Sequence, residues 1–325
     1  MSDTPPEEPS ADASTTEGHR AGLIALVGRP NAGKSTLLNQ VLGQKLSIVS
    51  AKPQTTRNRV VGIHTIPGMQ AVLVDTPGIH PARSRLNKAM VQMAIDALSE
   101  VDLICWVIDL APCTKAAEAK RTILGRGEQE LATIIAQSGD TPVIIALNKA
   151  DAVSKPWILP VMEALHALAP QATIVPISAL KGVGVDGLVA QWREHLPEGP
   201  ALYPADQIAT TTERFIVAEM IREKIFHLTE QEVPYSTAVE IELFDEDERE
   251  SERPRVHIMA RIFVERDSQK GILIGKGGSM LKQIGTLARK EIAALLGASV
   301  FLELHVTVQP DWTSSGRALR ELGYE

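Results

Sequence analysis

Two cysteines in 325 residues, Cys105 and Cys113, cannot build a disulfide framework, and their spacing matches no metal-binding pattern. A reducing, cytoplasmic compartment is the simplest setting for such a chain. No apolar run approaches the ~20 residues that a membrane-spanning helix needs, so any membrane contact is expected to be peripheral. Positive charge is also short. A net charge of −7 argues against a protein that coats nucleic acid through its overall field, so a nucleic-acid contact must be a local patch. Residues 1–20 are rich in Ser, Thr, Pro, Glu and Asp and have no apolar stretch, which predicts a disordered acidic tail rather than a secretory leader. The rest, within a chain of 44% hydrophobic residues, is long enough for two domains with separate cores.

Leu23-Ile24-Ala25-Leu26-Val27 is an unbroken apolar run of the kind that forms a buried parallel strand, and Thr36 to Leu42 has helical spacing. Between them stand Gly28, Arg29, Pro30, Asn31, Ala32, Gly33, Lys34 and Ser35, the spacing of a phosphate-binding loop in its proper context. The two glycines let backbone N–H groups face an anion, and the helix that opens at Thr36 adds its positive end. Lys34 supplies a mobile cation, and the Ser35 hydroxyl can ligate Mg²⁺.

Residues 43–59 lack a clear period and carry Gln54-Thr55-Thr56-Arg57, the kind of loop in which a hydroxyl completes a Mg²⁺ shell only while a γ-phosphate is present. The next apolar strand ends in Asp75, Thr76, Pro77 and Gly78, placing a carboxylate for Mg²⁺ and a glycine N–H for the γ-phosphate. A strand over 102–109 precedes a charged segment, 112–129, that reads as loop plus helix. The strand 142–147 closes on Asn148, Lys149, Ala150 and Asp151. Asp151 can accept from both the N1–H and the exocyclic amine of guanine, whereas adenine would leave a carboxylate unpaired, so the nucleotide is GTP rather than ATP. Asn148 can bridge to the phosphate loop, and the Lys149 stem can lie over the base. The backbone of Ser178, Ala179 and Leu180 can reach the guanine carbonyl. Five elements in this order define a GTPase of doubly wound α/β architecture with its ligand at the carboxyl ends of the strands. Lys34, Thr56 and Gly78 are the groups expected to position water or stabilise the transition state.

The domain resembles the translation-factor-related GTPases, and its Gln54-Thr55-Thr56-Arg57 and Asp75-Thr76-Pro77-Gly78 pair is most similar to the Era family of bacterial ribosome-assembly GTPases. The resemblance implies that Thr56 is the Mg²⁺-binding switch threonine, beside Ser35 and Asp75. Ile79 stands where Ras-like GTPases carry the glutamine that orients the attacking water, and it can make no such hydrogen bond. Basal hydrolysis should therefore be slow, or water must be held otherwise. A potassium ion near Asn31, as in relatives with Asn at this position, is one route, and a water held by backbone and phosphate is another. His80, next in the chain, reads as a solvated loop residue.

Pro197-Glu198-Gly199-Pro200 and Pro204 mark a domain boundary. The expected organisation is a GTPase domain over 21–197, a linker over 198–210, an RNA-binding domain over 211–315 and a C-terminal tail over 316–325. Beyond the linker, 212–228 suits an amphipathic helix, 235–244 and 256–264 suit strands, and the acidic run 242–252 reads as a solvated hairpin loop. Ile274, Gly275, Lys276, Gly277 and Gly278 then lead into a helix bearing Lys282. The missing first glycine, and Gly277 after Lys276 in place of Ser or Thr, exclude a second phosphate loop. The Gly-x-x-Gly instead matches the loop with which KH domains clamp single-stranded RNA, and Ile272, Leu273 and Ile274 could floor the groove. From 261 to 290, seven basic residues face two acidic ones, a net of +5. The order helix, two strands, two helices, strand is that of a smaller α+β type II KH domain.

A KH domain after such a GTPase domain again resembles the Era family, over about residues 21–315. That resemblance implies GTP/GDP and magnesium as cofactors and binding near the 3′ end of small-subunit ribosomal RNA during assembly of the small ribosomal subunit. It also implies cytoplasmic and peripheral membrane-associated pools, the latter at the inner face of the cell membrane; a monomer is expected, although nothing in the sequence reveals the oligomeric state. An RNA-binding scaffold with a structural, slowly hydrolysed nucleotide is the alternative. A tRNA-modifying GTPase or tandem-GTPase factor is excluded by the single phosphate loop and the lack of a C-terminal cysteine motif.

Overall fold

The computed structural model describes residues 18–50, 52, 55–79, 84–251 and 254–324. The tail as far as residue 17, Gln54, His80 and Glu252 lie outside them. A six-stranded sheet has the order β2-β3-β1-β4-β5-β6, formed by β1 (Arg20–Val27), β2 (Val60–Ile66), β3 (Met69–Asp75), β4 (Leu103–Asp109), β5 (Val143–Asn148) and β6 (Thr173–Pro176). Only edge strand β2 is antiparallel to its neighbour. β3 and β4 are almost wholly apolar because both faces are covered. On one face Leu37 and Leu38 of α1 (Lys34–Leu42) pack with Leu188 and Trp192 of α6 (Val185–His195). On the other lie α2 (Arg85–Asp96), α3 (Leu110–Glu118), α4 (Arg126–Ala136) and α5 (Ile158–Leu168), with Ala94, Leu131, Ile135, Val161 and Leu165 turned inward. Segment 112–129, expected as loop plus helix, is the body of α3, a turn and the start of α4. Pro112 is tolerated in the first turn of α3, where its missing N–H would have no intrahelical partner. Cys105 and Cys113 are buried free thiols, and desolvation pushes both up to about 12, which makes them inert.

The second domain follows the predicted order: α7 (Glu213–Leu228), β7 (Ala238–Glu248), β8 (Arg255–Val264), α8 (Asp267–Ile274), α9 (Ser279–Leu296) and β9 (Ser299–Val308). β8 is antiparallel to β7 and parallel to β9. Alternate residues Val256, Ile258, Ala260, Ile262 and Val264 meet Ile284, Ala288 and Ile292, spaced by four on α9.

Three expectations change here. Most of the acidic run is strand rather than loop: β7 continues to Glu248, with Asp245 opposite His257 and Glu248 opposite Arg255, and only 249–251 of its described residues lie in the turn. Its charge is tolerated because Glu242 pairs with Arg261, and Arg249 pairs with Glu213 and Glu246. Helix α7 is buried nearly all round, Arg222, Glu223 and Lys224 included, because Lys45, Val49 and Lys52 of the first domain lie against the side facing away from the sheet. Within the segment expected as a C-terminal tail, residues 316–324 are folded. They hold helix α10 (Gly316–Glu321), and Trp312, Ala318, Leu319 and Tyr324 pack against Leu86 and Met90 of α2.

The linker has no regular element but is tied to the first sheet. Leu202 N and Tyr203 N donate to Gln70 Oε1 at 2.7 and 2.8 Å, and Ile63 N donates to the Ile208 carbonyl at 2.7 Å.

Candidate nucleotide site and nucleic-acid interface

Because β1, β3, β4, β5 and β6 run parallel, the loops that follow them open at one edge of the sheet. The loop after β1 turns on glycines that no other residue could replace. A Cβ on Gly28 would lie 2.3 Å from the Val107 carbonyl oxygen, and one on Gly33, at φ +100°, would lie 2.2 Å from Asn148 Nδ2. No side chain caps the N-terminus of α1, so its first N–H groups face a cavity of about 470 Å³. Lys34 Nζ donates to the Gly28 and Arg29 carbonyls, each at 3.3 Å. Burial lowers its pKa, with the Asp75 carboxylate opposing. An anion in the cavity would stabilise the ammonium.

Four oxygen-bearing side chains converge beside it. Ser35 Oγ donates to Asp75 Oδ2 at 2.7 Å, Ser47 Oγ at 3.0 Å and Thr56 Oγ1 at 3.3 Å, while Ser35 Oγ and Thr56 Oγ1 are 2.8 Å apart. Asp75 Oδ1 is buried with no hydrogen-bond partner. Burial raises the Asp75 pKa, against the pull of Lys34 and the three hydroxyls. Hydroxyl and carboxylate oxygens are the hard donors that Mg²⁺ takes, and the orphaned Oδ1 is an acceptor that an ion with its waters would satisfy. The residues fit the ion.

At the other end, Asn148 Nδ2 donates to the Ala32 carbonyl at 2.8 Å, and its Oδ1 accepts from Ala179 N at 2.9 Å, so one amide ties the phosphate loop to the 178–180 loop. Lys149, at φ +67°, reaches Asp109 Oδ2 at 2.6 Å. Asp151 and the bare side chain of Leu180, 70% exposed, line the same cavity.

In the second domain, Gly275, Gly277 and Gly278 have φ of +72°, +61° and +80° in the turn between α8 and α9. A Cβ on Gly275 would meet Met280 at 2.7 Å, whereas Gly277 and Gly278 face open space. Lys276 in the turn and Lys282 in the first turn of α9 are exposed, as are Arg289 and Lys290 farther along the same helix. The apolar floor is narrower than expected, because Leu273 is fully buried in the core; Ile274 is half-buried and Ile272 is 47% exposed.

Two family descriptions match: "50S ribosome-binding GTPase" over residues 23–149 and "KH domain" over 232–313. The chain is 51% identical over 305 residues to the GTPase Era of Geobacter metallireducens, covering 94% of this chain and 98% of that one. The chain belongs to the Era GTPase family. Two solved Era structures match with TM-score 0.86, each covering 94% of this chain and 99% of the other. One, 40% identical, is an Aquifex aeolicus Era variant bound to GDP·AlF4⁻; the other, 39% identical, is Era with MgGDPNP and nucleotides 1506–1542 of 16S ribosomal RNA.

Against this family background, most of the expected residues converge. Pro30, Asn31, Gly33, Lys34, Ser35, Thr36, Thr56, Gly78, Asn148, Lys149, Asp151 and Leu180 line the one cavity. Others do not reach it. Arg29 turns away to pair with Glu128 of α4 at 3.2 Å, and the Ile79 side chain is buried in the apolar layer under α2 and α4. Thr76 is spent on the Leu26 carbonyl at 2.9 Å, and Ala150 N donates to the Ile177 carbonyl. Sequence reasoning missed Ser47 and Asp109. Asp109 had a signal, an acid closing a buried apolar strand as Asp75 does; Ser47 lies in the aperiodic stretch 43–59 and had none.

Proposed function

We propose that this chain binds GTP with magnesium, hydrolyses it to GDP and phosphate, and uses the nucleotide state to gate binding of its KH domain near the 3′ end of small-subunit ribosomal RNA during subunit assembly. The observation that carries the reading is the Ser35–Thr56–Asp75 oxygen cluster at one end of a cavity whose other end holds Asn148, Lys149 and Asp151. Lys34 and the N–H groups opening α1 bind the phosphates, and Asp151 selects guanine against the Lys149 stem and Leu180. When bound, Mg²⁺ neutralises charge on the β- and γ-phosphates; Ser35, Thr56 and Asp75 hold it. Ile79 can orient no water, which leaves Gly78 N–H and Thr56 to position it; Asn31 would hold a potassium ion if one takes part. Gly275, Lys276, Gly277, Gly278, Ile274 and Lys282 form the RNA contact, and the Era relative bound to 16S RNA nucleotides supports this reading.

Among the described residues no helix is long and apolar enough to cross a membrane. Cytoplasmic action accords with ribosomal RNA as partner, and membrane contact, where it occurs, would be peripheral. The test is single-turnover GTP hydrolysis by the full chain, with and without potassium and a 16S 3′-end oligonucleotide. Slow basal turnover accelerated by either is expected. Hydrolysis indifferent to both would favour the scaffold reading, which the apolar Ile79 supports, and absence of hydrolysis would refute the enzyme.

A further inference from the structure

Thr56 Oγ1 is held at the metal cluster, yet the residues on either side of it are held by the other domain. Arg222 of α7, fully buried, donates to the Thr55 carbonyl. Arg57, 2% exposed, donates from Nη1 to the Thr237 carbonyl at 2.8 Å and from Nη2 to the Pro234 and Tyr235 carbonyls at 3.0 and 2.8 Å. Its guanidinium carbon lies 6.0 Å from the ring centre of Phe226 and 5.9 Å from those of Trp312 and Tyr324. Three carbonyl dipoles and three ring faces thus meet one planar cation. Trp312 is itself fixed, donating from Nε1 to the Ser236 carbonyl at 2.9 Å and stacking on Tyr324. Through Leu86 and Met90, the segment that closes this cage also packs on α2, the helix that follows the Asp75–Gly78 motif.

We propose that Arg57 is a positioning residue for the GTPase site: its guanidinium, clasped by the KH domain and closed in by Trp312 and Tyr324, fixes the backbone of Thr56 and so holds the Thr56 hydroxyl at Ser35 and Asp75. The inference rests on the reading of Thr56 as a magnesium contact. A lysine at 57 keeps the charge but loses the rigid fork that reaches three carbonyls in one plane. Thr56 would then wander while Lys34, Ser35 and the base slot stayed in place. Tyr324 does not line the nucleotide cavity, so any effect of altering it on magnesium use must travel through the cage.

The experiment measures, on the full chain, the Mg²⁺ concentration for half-maximal GTP hydrolysis, kcat, KM and GDP affinity for Arg57→Lys, Tyr324→Leu and Thr56→Ala, with thermal unfolding to confirm folding. Arg57→Lys should raise the Mg²⁺ requirement and lower kcat about tenfold, within the hundredfold that a ~1 Å misplacement can cost, with GDP affinity kept. Tyr324→Leu should move the same quantities the same way by less, and it carries the test if Arg57→Lys does not fold. GDP and GTP affinities falling together, or a wild-type Mg²⁺ response in both variants, would overturn the proposal and leave Arg57 as domain glue. Thr56→Ala separates the two levels. If it too shows a wild-type Mg²⁺ response, the reading of Thr56 fails; if only Thr56→Ala shifts it, the positioning role of Arg57 alone fails.

Discussion

Replacing Glu223 by glutamine removes one charge from a four-member network where the two domains meet. Lys45, on the loop that carries Thr56, lies 2.5 Å from Glu223 and 2.8 Å from Glu291, and Lys224 lies 2.7 and 2.5 Å from the same two carboxylates. Glu223 also accepts from Val49 N at 3.2 Å. The Glu223 and Lys224 side chains are 2% and 6% exposed; those of Lys45 and Glu291 are 36% and 39% exposed. A glutamine would turn an N–H donor or a weaker acceptor towards two ammonium groups. Breaking a fully buried pair costs about 3–5 kcal/mol; since Glu291 still serves both lysines and Lys45 reaches water, about 2–3 kcal/mol is expected here. Burial pushes the Glu223 carboxyl up, but hydrogen bonds from Lys224 and Lys45 outweigh it and leave the pKa lowered; the Glu291 pKa is lowered for the same reasons. A lowered carboxylate stabilises above its unfolded value of about 4.3 and loses that contribution as pH falls through the folded value. Lys45 is raised on balance, so its contribution holds below about 10.4 and fades as pH rises through its folded value. The gap between wild type and Glu223→Gln should therefore be flat from about pH 5 to 10 and should narrow in acid. Urea unfolding followed by circular dichroism measures it. No gap at pH 7, or one that widens below pH 4, would refute the network as a source of stability.

Asp151→Asn should weaken GTP about ten- to a hundredfold and favour a xanthine nucleotide by reversing one donor–acceptor pair. Competition against a fluorescent nucleotide reads it out, and unchanged GTP affinity would remove Asp151 from the base site. Gly277→Asp places a carboxylate where phosphate is expected to approach. Nothing lies within 4 Å of the new Cβ, and aspartate tolerates φ +61°, so the fold should hold. RNA affinity in filter binding should collapse while GTP binding is spared; retained RNA affinity would count against the Gly-x-x-Gly contact.

The nucleotide machinery was legible from residues 28–35, 75–78 and 148–151 because each depends on residue type and local backbone. Glycine permits the turn after β1, a carboxylate ends a strand, and the order of elements brings the loops to one sheet edge. The KH loop was legible for the same reason, from Gly275 to Gly278 and the basic residues around it. Tertiary structure alone decided the rest. Whether Arg222, Glu223 and Lys224 face water or a second domain depends on partners such as Thr55 and Lys45, more than 160 positions away in the chain. Ser47 joins Asp75, residues 316–324 fold onto α2, and the acidic run is drawn into β7 by the basic residues and histidine of β8. Arg57 reads in sequence as one more loop cation; its cage of rings and carbonyls exists only where α7, the 234–237 turn and the C-terminal segment meet. Local chemistry is written in consecutive residues, whereas the burial of a charge depends on which distant groups arrive to satisfy it.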